Sequence, residues 1–150
     1  MEAALLANAS AHELQSRVHL LGLRNDVSAV LCAADIFVLP SLSEGLPLAL
    51  LEAMFASRAI VASDVGDIGI ALAGGEAGRL VHPGDPSALA DAIDELLEHP
   101  EAARSLGERA FRRASTEYSL SQMVRQYARA YQVALHREAN PSAHLLAAGE

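Results

Sequence analysis

The stretch from Asp35 to Met54 restricts this chain more than any other. Asp35-Ile36-Phe37-Val38-Leu39 is a short apolar run with β-branched and aromatic members, which predicts a buried central strand. Pro40 has no N–H to give a ladder, so the strand ends there. Pro47 suits the first turn of a helix, where a missing N–H costs nothing. Leu46 before it carries no side-chain oxygen to cap that helix, so its first amides are open to water or to an anion such as a phosphate. Gly45 lets backbone come close to a ligand.

The helix that follows, to about Ser57, is apolar on every side except at Glu52, whose angular neighbours are Leu48, Ala49, Phe55 and Ala56. A helix of that kind is expected to be buried, and an ionised carboxylate within it needs a hydrogen-bonding partner. Vicinal hydroxyls, such as those of a ribose, suit an acceptor-only carboxylate. The structural alternatives are a narrow wet edge of the helix or an Arg from elsewhere in the chain.

The rest of the chain repeats the alternation of strand and helix. Glu2 to Leu14 reads as a helix rich in Ala and Leu, and Val18 to Leu21 as a short strand ended by Gly22. Asp26 is placed to cap a helix from Val27 to about Ala34. Ala59 to Ala62 is a third strand, and the loop from Ser63 to Asp67 lies at a strand end where ligands commonly bind in such sheets. Ile68 to Leu72 forms a short helix stopped by Gly74-Gly75, and Gly78 to Val81 is a fourth strand. Asp85 caps a helix from Pro86 whose Leu89, Ile93, Leu96 and Leu97 make a core stripe. A further helix from Pro100 carries Leu106, Ala110 and Phe111 inward, with Arg104, Arg109, Arg112 and Arg113 on a solvated face. Ser119 and Gln122 make a capping box for the last helix, lined on one side by Tyr127, Ala128, Tyr131 and Leu135. The expected fold class is therefore α/β, a Rossmann-like parallel sheet with helices on both faces, in one unit over residues 1–137 with a frayed tail over 138–150.

With 150 residues and a 51% apolar composition the chain can bury a core, and no apolar run is long enough to span a membrane. A net charge of −8 argues against nucleic acid as a partner. No secretory signal pattern is read at the start, and Cys32 alone allows no internal disulfide, which suits a reducing, cytoplasmic setting. Cys32 lies in an apolar stretch and is expected to be a buried core thiol. The histidines are scattered without metal-ligand spacing, and only His82 falls near the expected cleft rim.

Glu44, seven residues, then Glu52 resembles the paired-glutamate motif of the family 4 retaining glycosyltransferases, two-domain GT-B enzymes that use nucleotide-sugar donors. Ala34-Asp35-Ile36-Phe37-Val38-Leu39-Pro40-Ser41, Leu51-Glu52-Ala53-Met54, Ile60-Val61-Ala62-Ser63-Asp64-Val65-Gly66 and Gly78 to Pro86 are similar to that family as well. The resemblance runs from about Val18 to about Leu135, and several motifs in the right order make it specific. It implies that Glu44 sits beside the donor sugar as the catalytic carboxylate. The turn Gly45-Leu46-Pro47 would approach the sugar and diphosphate, with Gly45, Leu46 and Leu48 as the amide donors. Glu52 would hold the ribose hydroxyls, and Leu23 would meet the base through its backbone. No cofactor or metal is implied; the donor is a nucleoside diphosphate sugar.

The sequence departs from the family pattern at the usual Gly and Pro before the third strand, where Ser57 and Ala59 stand, and in the donor loop, where Asp67 and Ile70 replace a Gly and an acid. The resemblance covers only the later part of the donor-side domain. The acceptor-side domain, and the Arg and Lys that neutralise the diphosphate, have no counterpart here. The expectation is a truncated or two-chain transferase, weak or inert alone, with an exposed sheet edge and a missing N-terminal domain or partner chain. Association with a membrane surface is left open. The alternative is a non-catalytic nucleotide-binding or protein-interaction module.

Overall fold

The computed structural model describes residues 2–139. Its centre is a three-stranded parallel sheet in the order β1 (Ile36–Leu39), β2 (Ala59–Ser63), β3 (Arg79–Val81). Ile36 lies opposite Ala59, and Val61 opposite Arg79. β2 is buried along its whole length because it alone is paired on both edges and covered on both faces.

Strand alternation then divides the core in two. Phe37, Leu39, Ile60, Ala62 and Leu80 face one side, where Leu50, Ala53 and Met54 of α3 (Leu48–Phe55) and Ile68 and Ala71 of α4 (Ile68–Ala71) pack on them. Leu31 of α2 (Val27–Ala33) joins the same cluster. Ile36, Ala59, Val61 and Val81 face the other side, against Leu89, Ile93 and Leu96 of α5 (Pro86–Glu98). The following helix, α6 (Pro100–Glu117), serves both layers: Leu106 packs in the second, Ala110 and Ala114 in the first. The molecule is thus an α/β unit with helices on both faces of a parallel sheet, as the alternation indicates. α1 (Glu2–Ala11) and α7 (Leu120–Ala139) flank it, and no helix among the described residues is long and apolar enough to cross a membrane.

Local chemistry explains most of the boundaries. The Asp85 carboxylate accepts from the Ala88 amide at 2.9 Å, and Pro86 begins α5. The Gln122 amide donates to the Ser119 hydroxyl at 3.3 Å, one half of the expected capping box. Gly74, with φ 63, turns the chain in the 3-10 segment Ala73–Gly75. Gly107 allows α6 to lie on the end of α3, since a Cβ there would stand 2.2 Å from the Ser57 carbonyl oxygen.

Several expectations are corrected. Val18 to Leu21 is not a strand, and the sheet begins at Ile36. A four-residue run gains too little from pairing unless both its faces are covered, and Leu20 and Leu21 are exposed. Asp26 makes no side-chain cap; its carboxylate is held instead by Arg24, at 2.6 Å, which keeps its pKa below the usual carboxylate range. Cys32 is exposed rather than buried, because α2 presents only Leu31 fully to the core. Leu97 and Phe111 lie outside their core stripes, each at the solvent edge of its helix. α3 begins at Leu48, with Pro47 as its N-cap. The arginines of α6 do not form one solvated face. Arg109 donates to the Glu76 carbonyl at 2.6 Å and Arg113 to those of Ile70 and Ala71 at 2.7 Å. They clasp the segment around α4, whose last carbonyls would otherwise be orphaned. Tyr127, Ala128, Tyr131 and Leu135, read as lining one side of the last helix, keep that reading and are exposed. α7 continues to Ala139, and the expected tail beyond it lies outside the described residues.

Candidate functional site

The carboxyl ends of parallel strands are where open α/β sheets bind ligands, and the paired glutamates follow that end of β1. Pro40 closes the strand, and Ser41 to Leu46 form a loop that leads into α3. Within the loop the Ser41 hydroxyl donates to Glu44 Oε1 at 2.8 Å, in a half-buried setting. That bond fixes one carboxylate oxygen and leaves the second available. The loop is held from outside by the turn after β2. The Asp67 amide donates to the Gly45 carbonyl at 3.1 Å, and Gly66, with φ 54, lies directly against the backbone. A Cβ at Gly66 would stand 2.1 Å from the Glu44 carbonyl oxygen and 2.7 Å from that of Gly45. Only glycine fits there, by space and by conformation.

The amides that follow Glu44 are unspent. No described residue accepts from the backbone N–H of Gly45, Leu46, Leu48 or Ala49, and Pro47 has none to offer. Pro47 gives α3 no side-chain cap. The result is a half-buried carboxylate followed by a short run of free backbone donors at a helix start, an arrangement suited to anionic oxygen beside a hydroxylated group. Ala49 belongs to this run and was not among the expected donors.

Glu52 sits on the next turn of α3, exposed rather than buried. The helix is not apolar all round in its setting: Leu50, Ala53 and Met54 face the core, while Leu48 is 74% exposed and Phe55 is also open. The wet-edge alternative is therefore the one that the described residues realise. Leu23 is 98% exposed in the loop before α2 and adds no side-chain packing to the site. His82, past the end of β3, is also exposed, with Nδ1 2.9 Å from the Pro83 carbonyl oxygen. Among the described residues no group of His, Cys, Asp and Glu side chains could hold a metal ion.

Sequence reasoning missed Ser41 as the partner of Glu44 and Gly66 as the buttress behind it. A serine three residues before an acid across a proline-bounded loop was the available signal for the first. The isolated glycine after a buried strand was the signal for the second.

The family model for Glycosyl transferases group 1 matches residues 1–99, which contain the whole site. This chain belongs to that family. As a group 1 glycosyltransferase sequence it is 32% identical, over 127 residues, to the N-acetyl-alpha-D-glucosaminyl L-malate synthase of Bacillus anthracis, covering 85% of this chain and 33% of that one. A sucrose-phosphate synthase from Thermosynechococcus elongatus superposes with a TM-score of 0.80 at 29% identity, over 89% of this chain and 34% of that one. HepE of Anabaena, solved in complex with UDP, superposes with a TM-score of 0.83 at 24% identity, over 87% of this chain and 36% of that one. The fold is that of the C-terminal domain of GT-B glycosyltransferases. The chain spans about a third of the length of the relatives it matches.

Proposed function

We propose that this group 1 glycosyltransferase chain forms the donor side of a retaining, family 4 type hexosyltransferase that binds a nucleoside diphosphate sugar. The observation that carries this reading is the Glu44 carboxylate, fixed by Ser41 and followed by the free amides of Gly45, Leu46, Leu48 and Ala49. In this reading the amides bind diphosphate oxygens, where fixed donors stabilise the charge that develops as the leaving group departs. Glu44 has a free oxygen to hold the donor sugar, and Glu52 one turn along accepts from ribose hydroxyls. Leu23 contacts the base through its backbone. An acceptor hydroxyl oxygen bonds to the anomeric carbon as the bond to the diphosphate breaks, the hydroxyl proton passing to the departing diphosphate oxygen, with retention at that carbon. No metal is assigned to the step. The acceptor side, and the basic groups that complete the diphosphate site, belong to further protein. That HepE, which shares this fold, is solved in complex with UDP supports a nucleotide ligand.

The test is thermal unfolding of the chain with millimolar UDP, GDP or ADP, beside Glu52→Ala. A nucleotide at about 100 times its dissociation constant adds about 2.7 kcal/mol. The midpoint then rises by roughly 5–10 °C with one nucleotide and not in the variant. A cooperative transition that no nucleotide moves would overturn the reading. The open, partly apolar face of α3 around Leu48, Glu52 and Phe55 favours a second reading, a non-catalytic module that docks on a protein partner.

A further inference from the structure

A cavity of about 200 Å³ opens at the same end of the sheet as the Glu44 loop, on the α5 side. Pro40, Ser63, His82, Asp85, Pro86 and Leu89 line it. Among the described residues Ser63 is the one buried polar side chain, 2% exposed, and its hydroxyl has no hydrogen-bond partner there. No described side-chain oxygen is both sealed from solvent and unpartnered, so the small residual exposure of Ser63 includes its hydroxyl oxygen. A hydroxyl at the end of a buried strand that opens only into this cavity takes its hydrogen-bond partners there, from water or from a ligand that displaces it.

We propose that this cavity is a binding site for a compact polyol, a pyranose or cyclitol ring. The polar groups around it mainly accept. Because the Pro83 carbonyl can only accept, the His82 tautomer that fits carries its hydrogen on Nδ1 and leaves Nε2 as an acceptor. Asp85 uses Oδ1 on the Ala88 amide and keeps Oδ2. That carboxylate disfavours a phosphate, and the capped α5 terminus offers it no Ala88 amide. Hydroxyl groups supply the donors that the site wants, and Pro40, Pro86 and Leu89 give flat apolar walls for the faces of a ring. The cavity adjoins the Glu44 loop: Pro40 precedes Ser41, and Leu42 Cδ2 lies 3.8 Å from where a Cβ of Gly84 would stand. As the seat of an acceptor ring the site rests on the transferase reading; as a polyol site it does not.

The experiment is an amide-resolved NMR titration of the whole chain with methyl α-D-glucopyranoside, with myo-inositol and, separately, with UDP. Either polyol is expected to shift the amides of Ser63, His82 and Ala88, and UDP those of Gly45 to Ala49. Ser63→Ala is expected to weaken the polyol roughly fivefold while leaving the unfolding midpoint unchanged or higher. His82→Ala gives an independent second loss. If neither polyol moves Ser63, His82 or Ala88, or if Ser63→Ala and His82→Ala both bind as the parent does, the proposal is overturned. It is also overturned if UDP alone moves those amides. Loss of the UDP response with the polyol response intact would overturn the donor reading and leave this one standing.

Discussion

Ser57 sits in the left-handed region, with φ 57, where the family resemblance places a glycine. An L side chain pays a conformational cost in that region that glycine escapes. Ser57→Gly should therefore stabilise the chain by about 1 kcal/mol, after the entropy that glycine adds to the unfolded state. Urea unfolding measures it, and a loss of stability would show that the serine side chain holds something the geometry does not reveal. Gly66 is the opposite case. Gly66→Ala forces a methyl group into the Glu44 and Gly45 carbonyls and strains the backbone as well. A loss of about 2–3 kcal/mol is expected, with weaker nucleotide binding even at temperatures where the chain stays folded. Unchanged nucleotide affinity in folded Gly66→Ala would mean that the Glu44 loop does not depend on its buttress.

Among the elements, β3 and α5 are tied by one side-chain pair, Arg79 with Glu95, at 2.5 Å. The hydrogen bond from Arg79, and then its charge, holds the Glu95 carboxyl below the ordinary glutamate range. A depressed carboxyl contributes stability above its unfolded value and loses it as pH falls through the lower native value. The stability difference between the parent and Glu95→Gln should be full at neutral pH and vanish as acid protonates Glu95. The pair is solvent-exposed, so the difference should be small and should shrink with added salt. A difference that persists below the carboxylate range would assign the effect to packing instead. The clasps made by Arg109 and Arg113 belong to this scale too, for each ties α6 to carbonyls far away in the chain. Sequence patterning marks those arginines only as polar positions on a helix; which carbonyls lie within reach is decided by how α6 crosses the sheet.

At the scale of the whole molecule, the layered α/β plan was legible because Ile36 to Leu39 and Ala59 to Ala62 are apolar runs, the first flanked by Asp35 and Pro40 and the second by Arg58 and Ser63. The cap at Asp85 and the glycine stop at Gly74 were legible for the same local reasons. The strand expected at Val18 to Leu21 was not a local matter, since strand formation depends on a neighbour and a covering layer. The site was legible as a loop with two carboxylates. Its outer support was not, because Gly66 meets Glu44 only through the fold, and the exposure of Glu52 depends on which face of α3 the core claims. Ser63 is hidden in a strand motif for a like reason: pattern gives its face, and only the packed α5 shows the cavity beyond it.

Among the described residues β2 is the one strand that belongs to both ladders. β1 and β3 never touch, so neither can keep its ladder once β2 is lost. Both packed layers also meet on β2, through Ile60 and Ala62 on one side and Ala59 and Val61 on the other. Exposure of its amides to solvent therefore requires the whole structure to open. Hydrogen exchange at Ile60, Val61 and Ala62 should be the slowest in the chain and should respond to denaturant with the full slope of global unfolding. Amides of α1 and of residues 120–135 in α7, whose side chains are mostly exposed, should exchange by small local openings that denaturant barely affects. Equal protection across these segments would refute that hierarchy. If it holds, the ligand loops after β1, β2 and β3 share one mechanical root, and occupancy of any one of them slows the opening of all three.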